Sequence, residues 1–243
     1  MLQQCISAEW IKLRRSYLWI VMMSLPLVSV CIGCANFAMN QGVLKNEWYS
    51  LWSQVSLFYG EFFFPILIAI CSAYLCRLEH ANRNWNMIMT APVSVGSLFI
   101  AKVAVISVLL LLVQGFFFIL YVAGGMLIGL QADLPPELPG WLFRGWIAAV
   151  AIGVLQLALS VRIRSFAAPV GIGLCMTFLG LGMYVMNLGL IFPHSLLTAG
   201  MGVLSQEGLG LGSSFLFYVM NLLYIVVISA GVMYRMRSTD VVS

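Results

Sequence analysis

Apolar runs long enough to cross a bilayer dominate this chain, and they decide its fold class before any motif is considered. The hydrocarbon core takes about 20 residues of helix. Runs of that order cover Tyr17 to Phe37, Gln54 to Cys76, Ser97 to Val122, Leu142 to Val161, Phe166 to Ile191 and Phe215 to Tyr234. Lipid offers no partner for free backbone groups, so such runs span as helices. Gly124 and Gly125 mark a bend or an end of the third, which can extend toward Leu130. Only 8% of the residues are charged, against roughly 25% in soluble domains. That is too little charge to clothe a soluble surface. The expected fold is all-α: a polytopic membrane protein with six transmembrane helices, residues 1–243 forming one transmembrane domain.

Lysine and arginine set the orientation. Lys12, Arg14, Arg15, Arg77, Arg83, Lys102, Arg162, Arg164, Arg235 and Arg237 fall on one side of the spans, and only Lys45 and Arg144 on the other. Both termini are therefore expected in the cytoplasm. Trp48, Trp52, Trp141 and Trp146 then fall near the outer interface, a level that suits amphipathic rings. The basic cluster at Lys12, Arg14 and Arg15 precedes about 21 apolar residues, longer than the core of a cleavable signal. Ahead of it, Leu2, Ile6, Trp10, Leu13 and Tyr17 recur at helical spacing. That stripe predicts an interfacial helix with its basic side chains toward anionic lipid. The segment from Pro193 to Ser214 has too little charge for an ordinary loop, and a short helix dipping part way into the membrane is expected there. Cys31 and Cys34 form a CxxC pair inside a span, where packing is the expected role.

Catalytic chemistry lacks its parts. There is no GxxxxGK[ST] loop to cradle nucleotide phosphates. His80 and His194 are the only histidines, without an HExxH pair, so metal catalysis has no ligand set. No catalytic residue, bound cofactor, metal or nucleic-acid partner is expected. Glu61 is the one acid clearly within a span, roughly 10 Å deep at 1.5 Å per residue. It is expected either to pair with Arg144, which lies at a similar level, or to meet a cationic substrate. Gln114 and Gln156 are the other polar candidates for a substrate path.

The stretch LEHANRNWNMIMTAPVSVGSLFIAK, from Leu78 to Lys102, separates the second and third spans. On a helix, Leu78, Ala81, Trp85, Ile88 and Met89 share one face. Glu79, His80, Asn82, Arg83, Asn86 and Thr90 cover the other, with Met87 apolar among them. Pro92 stops the helix and biases Ala91 toward extended backbone. Lys102 is expected to snorkel back to the cytoplasm. A helix of this length is more than a simple joint needs, and an apolar Met87 on a polar face suits a protein groove.

Glu79, Thr90, Pro92, Ser94 and Lys102 match a run found in type-2 ATP-binding-cassette exporter permeases, which this chain resembles over its whole topology. The resemblance is nearest to the permease subunits of lantibiotic immunity exporters, with Val95 standing where basic residues are common. It implies a bacterial plasma-membrane half-transporter. Two permease subunits, identical or related, would pair with two copies of a cytoplasmic ATPase subunit that binds the ATP and Mg. The segment carrying Glu79, Arg83, Met87, Thr90 and Pro92 would seat in the ATPase as a coupling helix, and a cationic antimicrobial peptide would be the substrate. A stand-alone secondary transporter using an ion gradient, and a non-transporting membrane sensor or anchor, remain open alternatives.

Overall fold

The structure, a computed structural model, describes residues 1–81, 93–206 and 208–238, with side chains as far as Met236. Among these residues every regular element is helical. α1 is Leu2–Leu13, and α2 is Leu18–Met39. α3 (Glu47–Phe58) passes through a π-helical turn (Tyr59–Phe63) into α4 (Phe64–His80). α5 is Val95–Ile128, α6 Leu138–Arg162, α7 Ala167–Val185, α8 Pro193–Gly200 and α9 Leu211–Ser238. Six helical segments are long and apolar enough to span a membrane: α2, α3 through α4, α5, α6, α7 and α9. The expected all-α, six-span fold is what the structure has. An even number of spans puts both chain ends at one end of the bundle, called here the terminal end. Of the expected coupling helix, Arg83, Met87, Thr90 and Pro92 lie outside the described residues.

Several boundaries differ from the sequence expectation, each for a local reason. α5 runs straight through Gly124 and Gly125 and ends in a left-handed cap at Gly129, φ +90°. The two glycines serve close packing instead. A Cβ on Gly125 would collide with the Trp48 ring, and one on Gly124 would lie 2.8 Å from the Cys34 sulfur. Small residues let membrane helices approach in this way. Gly33 of α2 does the same against Val55, whose Cα would be 2.6 Å from an added Cβ. α7 stops at Val185, short of Ile191, because Asn187 takes a left-handed φ of +61°. The Pro193–Ser214 segment forms the expected short helix: all eight residues of α8 are buried among the neighbouring helices.

Three of the four tryptophans expected at the outer level pack inside the bundle. Trp48, Trp52 and Trp141 are buried, not turned to an interface. Trp52 stacks on Trp141 with centroids 5.1 Å apart, and Tyr59 stacks on Phe117. Bonded polar atoms offset the burial of Trp48, Trp52 and Tyr121, whereas Trp141 Nε1 has no partner among the described residues. Trp52 Nε1 donates to the Met201 carbonyl (3.0 Å), Trp48 Nε1 to Ala132 O (2.7 Å) and the Tyr121 hydroxyl to Trp48 O (2.8 Å). This aromatic block joins α3, α5, α6 and the segment after α8 at the end away from the termini.

Candidate functional site

At the terminal end, four charged side chains from three helices meet in a nearly dry cluster. Glu9 and Lys12 stand one turn apart on α1, Glu79 is in the last turn of α4, and Lys102 is in the second turn of α5. Lys12 Nζ lies 2.8 Å from Glu9 Oε1 and 2.6 Å from Glu79 Oε1. Lys102 Nζ lies 3.1 Å and 2.9 Å from the same two oxygens, and donates to the Leu75 carbonyl at 2.8 Å. Glu9, Glu79 and Lys102 are each 1% exposed. An isolated buried ion costs several kcal/mol in desolvation, so such groups persist when paired. The two acids and two lysines cancel in formal charge.

This cluster corrects three sequence expectations. Lys102 does not snorkel out; its ammonium is enclosed by two carboxylates. Glu79 does not lie on an exposed polar face; it points inward from the end of α4. Lys12 does not turn to lipid but is engaged with both glutamates, on a helix that buries Cys5, Glu9 and Leu13. Glu9 was missed altogether. The Glu9–Lys12 spacing on a predicted helix was its one signal, and it could not reveal the long-range partners.

The cluster brackets the segment between α4 and α5. On the opposite side of α4, His80 Nε2 lies 2.8 Å from the Ser160 carbonyl of α6, and the Arg77 guanidinium sits 5.7 Å from the Phe166 ring centroid ahead of α7. Ser94 caps α5: its Oγ accepts the Ser97 N–H at 3.1 Å. One turn of α4 is thus tied to α1, α5, α6 and the start of α7.

Toward the other end, Glu61 occupies the π-helical turn and is 3% exposed. The local sequence explains the turn. Pro65 has no N–H for the Glu61 carbonyl, and Phe64 N–H bonds back five residues to Tyr59 O. Such turns open the helix ladder and are frequent at functional sites. The Thr198 side chain of α8 lies beside the Glu61 carboxylate, and Oε1 has no partner among the described residues. The expected Glu61–Arg144 pair is not formed. Arg144 Nε instead donates to the Gly200 carbonyl at 3.2 Å, closing the end of α8. Thr198 carried no sequence signal as a neighbour of Glu61.

The other path candidates have separate surroundings. Gln114 Oε1 accepts the Tyr59 hydroxyl at 3.0 Å, and its amide donates to Leu142 O at 3.4 Å. Gln156 is fully buried against Gly173 of α7, and neither amide atom has a partner among the described residues. Near the outermost turn of α3, the Tyr49 hydroxyl donates to Glu137 Oε2 at 2.6 Å. That bond holds the Glu137 carboxyl below the usual range. Among the described residues no group of three or more potential metal ligands occurs.

A family model described as ABC-2 family transporter protein matches residues 5–180. The chain belongs to that family. The matched region runs from α1 into α7 and contains Glu9, Lys12, Glu61, Glu79 and Lys102. Membership makes this ABC-2 chain the transmembrane component of a transporter, not its ATPase, and implies association with an ABC ATPase and with the membrane. No curated protein matches it.

Proposed function

We propose that this ABC-2 chain is the permease subunit of an ATP-driven exporter in a bacterial plasma membrane, with the terminal end in the cytoplasm. Two permease subunits, identical or related, work with two ATPase copies that carry the ATP and Mg. The substrate is a cationic amphipathic peptide of the lantibiotic type, removed from the membrane to give immunity. The observation that carries the reading is the buried link between Glu79 and Lys102. These residues lie on the two spans that enter and leave the expected coupling segment.

The geometry supports a mechanical role. A push on the segment between residues 81 and 94 reaches both flanking spans. The Glu79–Lys102 contact makes α4 and α5 respond together at that end, and Glu9 with Lys12 extends the motion to α1. Separating these helices would leave buried ions unpaired, which costs more than tilting them as a unit. Motion of the spans opens a path between two permeases, and the peptide leaves outward.

Co-purification tests the reading. The wild-type chain, extracted gently from cells that carry its ATPase, is expected to retain that ATPase. The Arg83→Glu, Met87→Asp double variant is expected to lose it while keeping its thermal stability. A wild-type complex without any ATPase would overturn the reading. So would ion-gradient-driven flux by the chain alone in liposomes, with Glu61→Gln abolishing that flux.

A further inference from the structure

We propose that Glu61 anchors a primary ammonium group carried on an apolar tail, received through the cleft beside α8. This deepens the exporter reading, and rests on it only for the direction in which the ligand then moves.

The first observation is the orphaned oxygen. Glu61 Oε1 is buried without a hydrogen-bond partner among the described residues. All four ion pairs among the described residues belong to the cluster at the terminal end. The nearest expected cation, Arg144, is committed to the Gly200 carbonyl. The fold therefore brings an acid into a buried turn and, among the described residues, supplies it with no cation. A buried acceptor without a donor is costly, and here the cost is incurred in a loosened helix turn.

The second observation is the cleft. A cavity of about 360 Å³ lies between the end of α7, the turn after it, α8 and the start of α9. Tyr184, Asn187, Ile191, Ala199, Leu209 and Leu216 are among its lining residues. Tyr184 and Ala199 line the cleft, and the helices that lead into it, α7 and α8, both pack against the π-helical turn that holds Glu61. The cleft and the acid thus lie against the same two helices. Asn187 is held in its left-handed conformation with its N–H bonded to Tyr184 O at 3.0 Å. The lining places two oxygen-bearing side chains, Tyr184 and Asn187, on an otherwise largely apolar surface.

These features select a chemical class. An ammonium has three donors and no acceptor. It can satisfy Glu61 Oε1 and still reach oxygen atoms on the cleft side, while an alkyl chain packs on Ile191, Leu209 and Leu216. A quaternary amine has no N–H for Oε1, and an anion would meet a carboxylate. The same chemistry occurs in a peptide lysine and in an aminophospholipid headgroup.

Carbodiimide labelling tests the proposal. Full-length protein is placed in discs of phosphatidylglycerol alone and treated with dicyclohexylcarbodiimide. Modification of Glu61 is followed by peptide mass spectrometry, with Glu61→Gln confirming the assignment. Dodecylammonium is expected to slow modification about tenfold, the scale of a hydrogen bond to a charged group. Dodecyltrimethylammonium should protect far less and dodecanol not at all. Leu216→Trp, at an exposed residue that lines the cleft, should remove the protection without changing the unprotected labelling rate. No slowing by dodecylammonium, equal slowing by dodecanol, or full protection in Leu216→Trp would overturn the proposal. Protection by phosphatidylethanolamine discs alone assigns the lipid headgroup as source; protection by only a lysine-bearing amphipathic peptide assigns the peptide. The discs hold no ATPase, so failure here leaves the co-purification result standing, and the reverse.

Discussion

Replacing Lys102 by methionine keeps most of the side chain's length and removes the one ammonium that is fully enclosed in the charge cluster. It deletes contacts of 3.1 Å and 2.9 Å to Glu9 and Glu79 and a 2.8 Å bond to the Leu75 carbonyl. Breaking a buried pair from one side costs about 3–5 kcal/mol, because the partner charge stays behind. Here Lys12 still touches both carboxylates and its side chain is 30% exposed, so water and one cation offset part of the loss. The lower end, about 3 kcal/mol, is expected, or roughly two orders of magnitude in the folding equilibrium. Lys12→Met should cost less, about 1 kcal/mol, since its charge is screened by solvent. Reversible unfolding by SDS titration, followed by tryptophan fluorescence, measures both. The decisive comparison is the Lys102→Met, Glu79→Gln double variant. With the stranded carboxylate neutralised, its loss should fall short of the sum of the single losses by about 1–3 kcal/mol. Strict additivity, or a Lys102→Met loss under about 0.5 kcal/mol, would refute the buried cluster.

Gly33→Ala should destabilise more than Gly125→Ala, by about 1 kcal/mol within the usual 1–3 kcal/mol of overpacking. The added methyl meets Val55 backbone in the first case and the Trp48 side chain in the second; the same titration ranks them. Arg144→Gln and Glu61→Gln should be additive within about 0.5 kcal/mol, because Arg144 serves Gly200 O and not Glu61; a larger coupling would restore the direct pair. Trp52→Phe should cost about 1 kcal/mol for its lost bond. It should also increase hydrogen exchange at residues 198–206, since Trp52 Nε1 ties Met201 O to α3.

The outline of this protein was legible because lipid imposes a length and a composition on every crossing. The span count and the buried helix after Pro193 followed from that constraint. Glu61 stood out because an acid inside an apolar run is conspicuous. Its surroundings were not readable. Arg144 sits at a suitable depth, yet depth does not fix the rotation of a helix about its axis, and that rotation took Arg144 to the Gly200 carbonyl. The tryptophans make the same point: a level can be inferred from sequence, but whether a ring faces out or into the core depends on how the helices pack.

The sequence by itself determined that the chain crosses a membrane as helices, roughly where, and that the polar stretch after α4 is unusual. Only the tertiary structure decided that Glu9, Lys12, Glu79 and Lys102 form one cluster, across separations of up to 93 residues. Hydrophobic length is a property of each segment alone. A buried charge is tolerable only beside its partner, and that pairing exists once the helices have packed.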